Sequence, residues 1–298
     1  MNRSMAILGG GRVGRALGKR LCGLGWRIGA VVTRSAGSAR RAVRFIGAGQ
    51  AYGRLTRQLL GAQLILIAVP DRALADVAGE LARIGGEELR GKVVLHTSGA
   101  LDARVLGAVR ACGAAVGSMH PLQTFSGVGV PPLEGKVFAI EGDAAALRVA
   151  RQIIRALKGV PVRIPGEKKP LYHAACALAA GHVLAVMEAA TQMLLATGMK
   201  RREALRALLP LTRQMLENFE RLGPATAWTG PLSRGDYGVV AAHAAALREF
   251  PPAYGAAHEA LARLGAAVLA RRPEEARAAL DRIFEEAKLQ KKASGGKG

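Results

Sequence analysis

The sequence of 298 residues is poor in acidic and aromatic side chains. Asp and Glu number 22 against 43 Lys and Arg, the formal net charge is +21, and aromatic residues make up 4%. Proteins that bind single-stranded nucleic acids need basic segments interleaved with aromatic side chains that stack on bases. The arginines here are scattered along helical segments instead. We therefore expect no nucleic-acid partner, and the charge indicates a solvated surface or a field that attracts anionic cofactors and substrates.

Cysteines and long apolar runs are also scarce. Cys22, Cys112 and Cys176 are odd in number and far apart, which favours buried thiols in a reducing compartment over a disulfide framework. The apolar run at the N-terminus is interrupted by glycines and Arg12, unlike a signal peptide. The longest apolar stretch, residues 174–187, is shorter than a bilayer requires. We expect a cytoplasmic protein without a membrane segment.

Metal-binding motifs are missing from the sequence. It contains neither H-E-x-x-H nor C-x-x-C, the spacings that most often hold zinc on a helix or a turn. The histidines outside the site candidates have no ligand spacing with one another: His96, His182, His243 and His258. We predict no metal site.

Glycine is abundant, and one cluster of it stands near the N-terminus. Residues 4–14, S-M-A-I-L-G-G-G-R-V-G, place a short apolar run before the glycines and helical periodicity after them, which predicts a strand, a tight turn and a helix. The glycines fill G-x-G-x-x-G, whose helix N-terminus can hold a pyrophosphate. A merely structural turn is the alternative. The residues predicted to contact a dinucleotide are Gly9, Gly10, Gly11, Arg12, Val13 and Gly14.

The end of the next predicted strand, Trp26–Val32, indicates which dinucleotide is bound. Arg34 lies about twenty residues after Gly14, where an NAD-binding fold carries an acidic residue for the ribose 2′-hydroxyl. An arginine suits a 2′-phosphate instead, because its planar fork can donate to two phosphate oxygens. We predict NADP(H), held here by Thr33, Arg34 and Ser35, with an ordinary surface arginine as the alternative.

Apolar runs with polar endings recur along the first half of the chain. Leu64–Val69, Val93–His96 and Ala115–Met119 each read as a buried strand of a parallel sheet. Ligands of open α/β sheets lie beyond the carboxyl ends of the strands. Four residues at these ends are therefore predicted to line the cofactor: Val69, Pro70, Ser98 and Gly99.

The second half of the chain has helical periodicity throughout. The turn-rich segment 165–170 separates it from the strands. The sequence predicts a doubly wound α/β Rossmann sheet over residues 1–165 and an all-α substrate and dimerisation domain over 166–290. The Lys/Ser/Gly tail, 291–298, is predicted to be disordered. The helical half is expected to form a homodimer, since its amphipathic helices lack a sheet to pack on.

Three groups of residues could carry chemistry. Lys169 and His173 are four apart on one predicted helix face, where a lysine can protonate an oxygen as hydride reaches the carbon. His120 follows a strand and is a second candidate for the proton donor. Each could instead be an ordinary surface or packed side chain. The residues predicted to hold a substrate are Gln123, Thr124 and Arg234.

These stretches together resemble a known family. G-G-G-R-V-G, H-T-S-G, S-M-H-P-L-Q-T-F, K-P-L-Y-H-A-A and T-G-P-L-S-R-G-D are similar to Rossmann-like proteins whose C-terminal domain is domain of unknown function 2520. That family resembles the 6-phosphogluconate dehydrogenase, pyrroline-5-carboxylate reductase and ketopantoate reductase group. The resemblance implies an NADP-binding domain, a helical dimerisation domain and a substrate site beside the cofactor. Where the wider group has a lysine followed four residues later by asparagine, this sequence has Lys169 and His173.

The sequence as a whole favours a cytoplasmic NADPH-dependent reductase. Its substrate is predicted to be a small carbonyl or imine compound with a carboxylate, and ketopantoate is the best single candidate. Lys169 is predicted to be the acid, with His173 orienting the substrate. The alternatives are a non-catalytic NADP-binding or sensing protein and, from the positive charge, a nucleic-acid-binding protein.

Overall fold

The computed structural model describes residues 3–295, which divide into two compact units. Unit 1 ends at His182 and unit 2 begins at Val183. The predicted boundary at residue 165 falls earlier, where the sheet has ended and a helical segment begins. As a boundary between domains it stays a prediction.

Unit 1 is built on a single eight-stranded sheet. Its strands are β1 Ser4–Leu8, β2 Arg27–Val32, β3 Gln50–Tyr52, β4 Leu64–Ile67, β5 Val93–His96, β6 Ala115–Pro121, β7 Val137–Gly142 and β8 Val160–Arg163. The order across the sheet is β3-β2-β1-β4-β5-β6-β7-β8. The first six strands are parallel, β7 is antiparallel to β6, and β8 is parallel to β7. The first six have the strand order of a doubly wound dinucleotide-binding sheet, which confirms the predicted fold class.

In residues 3–182, five helices lie between consecutive strands and a sixth follows β8. They are α1 Arg12–Cys22, α2 Ala36–Ile46, α3 Leu74–Gly85, α4 Gly107–Ala111, α5 Ala144–Ala156 and α6 Lys169–Ala177. Short 3₁₀ turns at Ala103–Leu106 and Gly166–Lys168 precede α4 and α6, and a π-helical turn, Leu178–His182, follows α6. The sequence predicts helical periodicity throughout this part of the chain, and the π turn interrupts the regular α-helix.

Alternating side chains of the central strands form two apolar layers. Met5 and Ile7 of β1 pack on one face with Leu17 of α1. Ala6 and Leu8 pack on the other. Both faces of the sheet are apolar because helices cover both sides of a parallel sheet and exclude water from it. The carboxyl ends of β1, β4 and β5 come together at one edge between these layers, and this positions the site.

Unit 2 is entirely helical in the described residues. Its helices are α7 Val183–Ala196, α8 Arg201–Leu222, α9 Pro224–Ala227, α10 Pro231–Arg234, α11 Tyr237–Ala246, α12 Pro252–Leu269 and α13 Pro273–Gly295. A small core joins α11, α12 and α13 through Val240, Ala266, Leu280 and Phe284. Helix α13 continues to Gly295, into the tail that was predicted to be disordered from residue 291. Residues 296–298 lie outside the described part.

The helical segment Gly166–Ala196 is long and strongly apolar. It has 31 residues, and its most apolar window has a mean hydropathy of 1.5 and is 6% buried. By length and composition it could cross a membrane. The expectation that the apolar residues 174–187 are too few to span a bilayer is therefore wrong for the longer helical segment. One such helix is weak evidence for a membrane segment. The absence of a membrane partner and a cytoplasmic location stay predictions.

Candidate functional site

The glycine-rich turn between β1 and α1 is closely packed everywhere except at Gly11. A Cβ on Gly9 would overlap the carbonyl oxygen of Ala68, and a Cβ on Gly14 would overlap the carbonyl oxygen of Gly9. Gly9 also has φ +110°, which disfavours other residues. At Gly11, by contrast, a Cβ would meet nothing within 4 Å. The open side of the turn is therefore at the middle glycine.

Gly11 is also the N-cap of α1, and this fits a dinucleotide. The first turn of α1 has neither a side-chain cap nor an acidic residue. Its backbone N–H groups are thus available to an anion, and the helix dipole favours one. The turn fits the pyrophosphate of NADP(H) in backbone shape and in charge.

The region after β2 has the features of a phosphate site. Ser35 caps α2 by accepting a hydrogen bond from Ser38 N at 3.3 Å, and Thr33 Oγ1 donates to the Ser35 carbonyl at 2.8 Å. Arg41 Nη2 donates to Ser38 Oγ at 2.9 Å. Arg34 is exposed between these groups in sequence. The start of α2 thus carries three hydroxyls and Arg41, and Arg34 directly precedes its N-cap residue, which suits a 2′-phosphate.

Lys169 is buried at the ends of β5 and β6. It is 1% exposed, and its Nζ donates to the Ser98 carbonyl oxygen at 2.8 Å and to Ser118 Oγ at 2.6 Å. It is the first residue of α6, so these bonds fix the start of that helix against the strand ends. Lys169, the predicted acid, thus lies beside the strand ends with its ammonium group enclosed by protein.

His120, Tyr172 and His173 form a second group beside Lys169. His120 Nδ1 and Tyr172 Oη are 2.7 Å apart. The His120 and His173 rings meet edge to face with centroids 5.9 Å apart. A Cβ on Gly99 would lie 2.6 Å from His173 Cδ2 and 2.9 Å from His120 Nε2, so the two rings fill the place of a side chain there. We call His120, Tyr172, His173 and Gly99 the histidine cluster.

Burial and the lysine charge set the protonation of this region. Burial lowers the pKa of Lys169 to about 8, although the carboxylates of Glu141, Asp102 and Asp71 oppose this. Burial, and then the charge of Lys169, lower the pKa of His120 to about 4. At neutral pH Lys169 is therefore mostly charged and His120 is neutral.

Two further buried groups have shifted titrations. The pKa of His96 falls to about 3, first through burial and then through the Lys169 charge. Burial and the nearby Cys176 raise the pKa of the Tyr172 hydroxyl above its ordinary value. Tyr172 is therefore a neutral phenol that can donate a hydrogen bond.

The three residues predicted to hold a substrate make hydrogen bonds or an ion pair within the protein. Gln123 Nε2 donates to the Pro132 carbonyl at 2.9 Å and its Oε1 accepts from Thr124 N at 2.8 Å, so its amide holds its own loop. Arg234 lies in unit 2 and pairs with Asp236 at 3.0 Å. The structure brings Lys169, His120 and His173 together, whereas the substrate roles of Gln123, Thr124 and Arg234 stay predictions.

Ser118 and Tyr172 are not among the site residues predicted from the sequence. Both lie within motifs that carry the family resemblance, S-M-H-P-L-Q-T-F and K-P-L-Y-H-A-A. Strand alternation was a usable signal for Ser118, since it lies two residues before His120 and thus on the same face. Tyr172 had no such signal, because its contact with His120 joins residues 52 positions apart.

Residues 2–121 match the model of a Rossmann-like domain, and residues 136–264 match DUF2520, a domain of unknown function. The chain joins a Rossmann-like domain to a DUF2520 domain. This confirms the resemblance drawn from the sequence motifs. No curated protein matches the chain in sequence. Among residues 3–295, no group of three or more His, Cys, Asp or Glu side chains could hold a metal ion.

Several solved structures have the same fold as this chain. A candidate NADP oxidoreductase from Bacteroides fragilis is 23% identical with a TM-score of 0.72, covering 87% of this chain and 95% of its own. A reductive aminase from Aspergillus terreus in complex with NADPH and ethyl-5-oxohexanoate is 19% identical, with a TM-score of 0.67 and coverage of 86% and 90%. A pyrroline-5-carboxylate reductase from Coxiella burnetii is 17% identical, with a TM-score of 0.57 and coverage of 94% and 97%.

Proposed function

We propose that this protein is an NADPH-dependent reductase of a small carbonyl or imine compound that carries a carboxylate. The observation that carries the proposal is that the open glycine turn follows β1, and that His120 and Gly99 of the histidine cluster lie near the ends of β6 and β5 of the same sheet. A hydride donor bound at the turn would then have its nicotinamide near the polar cluster. The names of the structural relatives, a reductive aminase bound to NADPH and a reductase of an imine carboxylate, support the same chemistry.

The cofactor's position follows from the residues that would hold it. The pyrophosphate would bind the N–H groups at Gly11 and the start of α1, and the 2′-phosphate would bind Arg34 and the Ser35 hydroxyl. The bound cofactor would supply the hydride. A 2-oxo acid such as ketopantoate is the best single substrate candidate, because the strongly positive surface attracts small anions.

The protein's chemical task is to stabilise the charge that develops on the substrate's oxygen or nitrogen. We assign this to His120, whose ring is half-buried and whose Nε2 edge packs against Gly99 at the end of β5. A neutral imidazole can donate a hydrogen bond to a developing oxyanion. Lys169 is 1% exposed and is already bonded to Ser98 and Ser118, so its role here is to hold the strand ends and supply a fixed positive charge.

The test is a panel of 2-oxo acids, ketopantoate among them, and 1-pyrroline-5-carboxylate, each followed by the loss of NADPH absorbance. We expect substrate-dependent oxidation, lowered about 10²-fold or more in His120→Gln. Lys168→Ala, a change at an exposed neighbour of Lys169, is the matched control and should keep full activity. Tight NADPH binding without oxidation of any compound would favour a sensing protein. Steeply salt-dependent binding of DNA or RNA would favour the nucleic-acid alternative.

A further inference from the structure

The hydrogen bond between His120 and Tyr172 joins a strand end to the first turn of a helix. His120 is near the end of β6, and Tyr172 is on α6, whose first residue is bonded to the ends of β5 and β6 by its side chain. The 2.7 Å contact therefore joins two elements that Lys169 already holds together. Each ring is fixed relative to the other, so the bond has a constant geometry.

The direction of this hydrogen bond follows from the two groups. An imidazole nitrogen is a much better acceptor than a phenol oxygen, because the phenol oxygen's lone pair is delocalised into its ring. Cys176 also hydrogen-bonds the Tyr172 side chain, but a thiol sulfur is a weak acceptor, so the neutral tyrosine hydroxyl donates its one hydrogen to Nδ1 of the neutral His120. A neutral imidazole carries one hydrogen, and with Nδ1 accepting, that hydrogen is on Nε2.

The other side of the His120 ring faces the end of β5. Nε2 and Cε1 of His120 both lie 2.9 Å from the place of a Cβ on Gly99. Ser98 and Gly99 follow β5 directly, at the edge of the sheet where a ligand of this fold is expected. Because residue 99 has no side chain, the His120 ring packs directly against its backbone, and Nε2, the ring nitrogen that Tyr172 does not bond, lies at the end of β5.

We infer that Tyr172 is a positioning residue that fixes His120 in the Nε2–H tautomer and so directs this hydrogen toward the substrate beside Gly99. Tyr172 itself does not touch the reacting atoms. His173 supports the arrangement by packing edge-on against the same ring at 5.9 Å, with its own Cδ2 toward Gly99. That the Nε2 hydrogen acts on a substrate rests on the proposed function. The tautomer of His120 can be measured whether or not the protein has that activity.

The first test measures the tautomer in the absence of substrate. Protein labelled with ¹⁵N-histidine is examined by long-range ¹H–¹⁵N correlation spectra, and the His120 signals are assigned by their loss in His120→Gln. We expect a bare Nδ1 and a protonated Nε2. In Tyr172→Phe we expect averaged shifts of both nitrogens, because both tautomers are then populated. A protonated Nδ1 in the unchanged protein, or unchanged shifts in Tyr172→Phe, would overturn the inference.

Two control variants separate the hydroxyl of Tyr172 from its neighbours. Tyr52→Phe removes the same hydroxyl at β3, where it donates to Gln50, and should leave the His120 signals unchanged. Cys176→Ala removes the thiol beside Tyr172 and should also leave them unchanged. If Cys176→Ala alone reverses the tautomer, the hydroxyl is directed by the thiol and the inference is wrong. Thermal unfolding of Tyr172→Phe checks that the variant is folded.

The second test is kinetic and uses whichever compound of the panel is reduced. Tyr172→Phe should lower kcat about tenfold, the effect of losing one neutral hydrogen bond, and leave the KM for NADPH unchanged. In His120→Gln the same tyrosine change should have no further effect, since the tyrosine acts only through His120. An equal loss in both backgrounds would contradict the positioning role. If no compound is reduced, the proposed function fails while the tautomer measurement still decides the inference.

Discussion

The most unusual single residue is Lys169, an ammonium group buried at the centre of the candidate site. It is 1% exposed and bonded to Ser98 and Ser118. These two hydrogen bonds offset part of the hydration free energy that the charged amine loses on burial. Burial is nevertheless the largest cause of its lowered pKa. The residue therefore opposes folding in its charged form, so its contribution to stability depends on pH.

This burial predicts how stability changes with pH. The pKa of Lys169 falls from 10.5 to about 8 on folding, so between these values the unfolded chain binds more protons than the native protein. Stability attributable to this residue is lowest below pH 8 and rises toward pH 10.5. Relative to Lys169→Met, the unfolding free energy of the unchanged protein should rise by about 2–3 kcal/mol across that window, measured in urea. Lys168→Met, at an exposed lysine, should show no such difference, and a flat difference for Lys169→Met would contradict the prediction.

Arg34 is the residue on which cofactor choice depends. If its guanidinium donates to the 2′-phosphate, NADPH should bind more tightly than NADH by about 1.5–3 kcal/mol, as for a charge-assisted hydrogen bond. Calorimetry should show that Arg34→Asp reverses this order. Arg40→Asp makes the same charge change at an exposed position of α2 and should keep most of the preference. Equal affinities in the unchanged protein would exclude the role of Arg34.

At the scale of elements, local patterns predicted much of the sheet and little of its connections. The apolar runs of β1, β4, β5 and β6 are visible because strands buried on both faces need uninterrupted apolar residues. The reversed direction of β7 was not predictable, since an apolar run reads the same in either direction. The short β3 and the π turn were missed because neither has a periodicity of its own. The contacts of Tyr172 and Ser118 depend on tertiary packing, which no local pattern records.

The glycine turn gives a matched pair of variants. Gly14→Ala should disrupt the turn, because its Cβ would overlap the Gly9 carbonyl, and both the melting temperature and NADPH binding should fall. Gly11→Ala meets open space, so its melting temperature should change little. Its methyl group would nonetheless occupy the pyrophosphate's approach, so NADPH affinity should fall in calorimetry. Unchanged affinity in Gly11→Ala would show that the dinucleotide does not bind there.

At the scale of the whole molecule, the two units bury their apolar residues very differently. Unit 1 has two extensive buried layers, whereas the core of unit 2 has few members. Helix α8 of unit 2 also carries large apolar side chains that are 40–67% exposed: Leu209, Leu211, Met215, Leu216, Phe219 and Leu222. A surface of this kind is typical of a subunit interface.

A homodimer formed through unit 2 therefore stays our prediction for the assembled protein. Light scattering at micromolar concentration should give twice the mass of the chain, 31.1 kDa. Leu216→Glu combined with Phe219→Glu should shift the protein to a monomer, because both changes place charge on the exposed apolar face of α8. Glu220→Arg alters a neighbouring charge on the same helix and should leave the dimer intact. A monomeric unchanged protein would disprove the prediction.

The enclosure of Lys169 also makes it a reporter of motion. Acylating reagents attack only uncharged amines that they can reach, and a lysine with a pKa of about 8 is uncharged more often than an ordinary lysine. Lys169 should nevertheless react far more slowly than the exposed Lys168, because reagent reaches it only when the packing around it opens. Mass spectrometry can follow the two adjacent lysines in one peptide. The ratio of their acylation rates then measures how often the ends of β5 and β6 separate from α6.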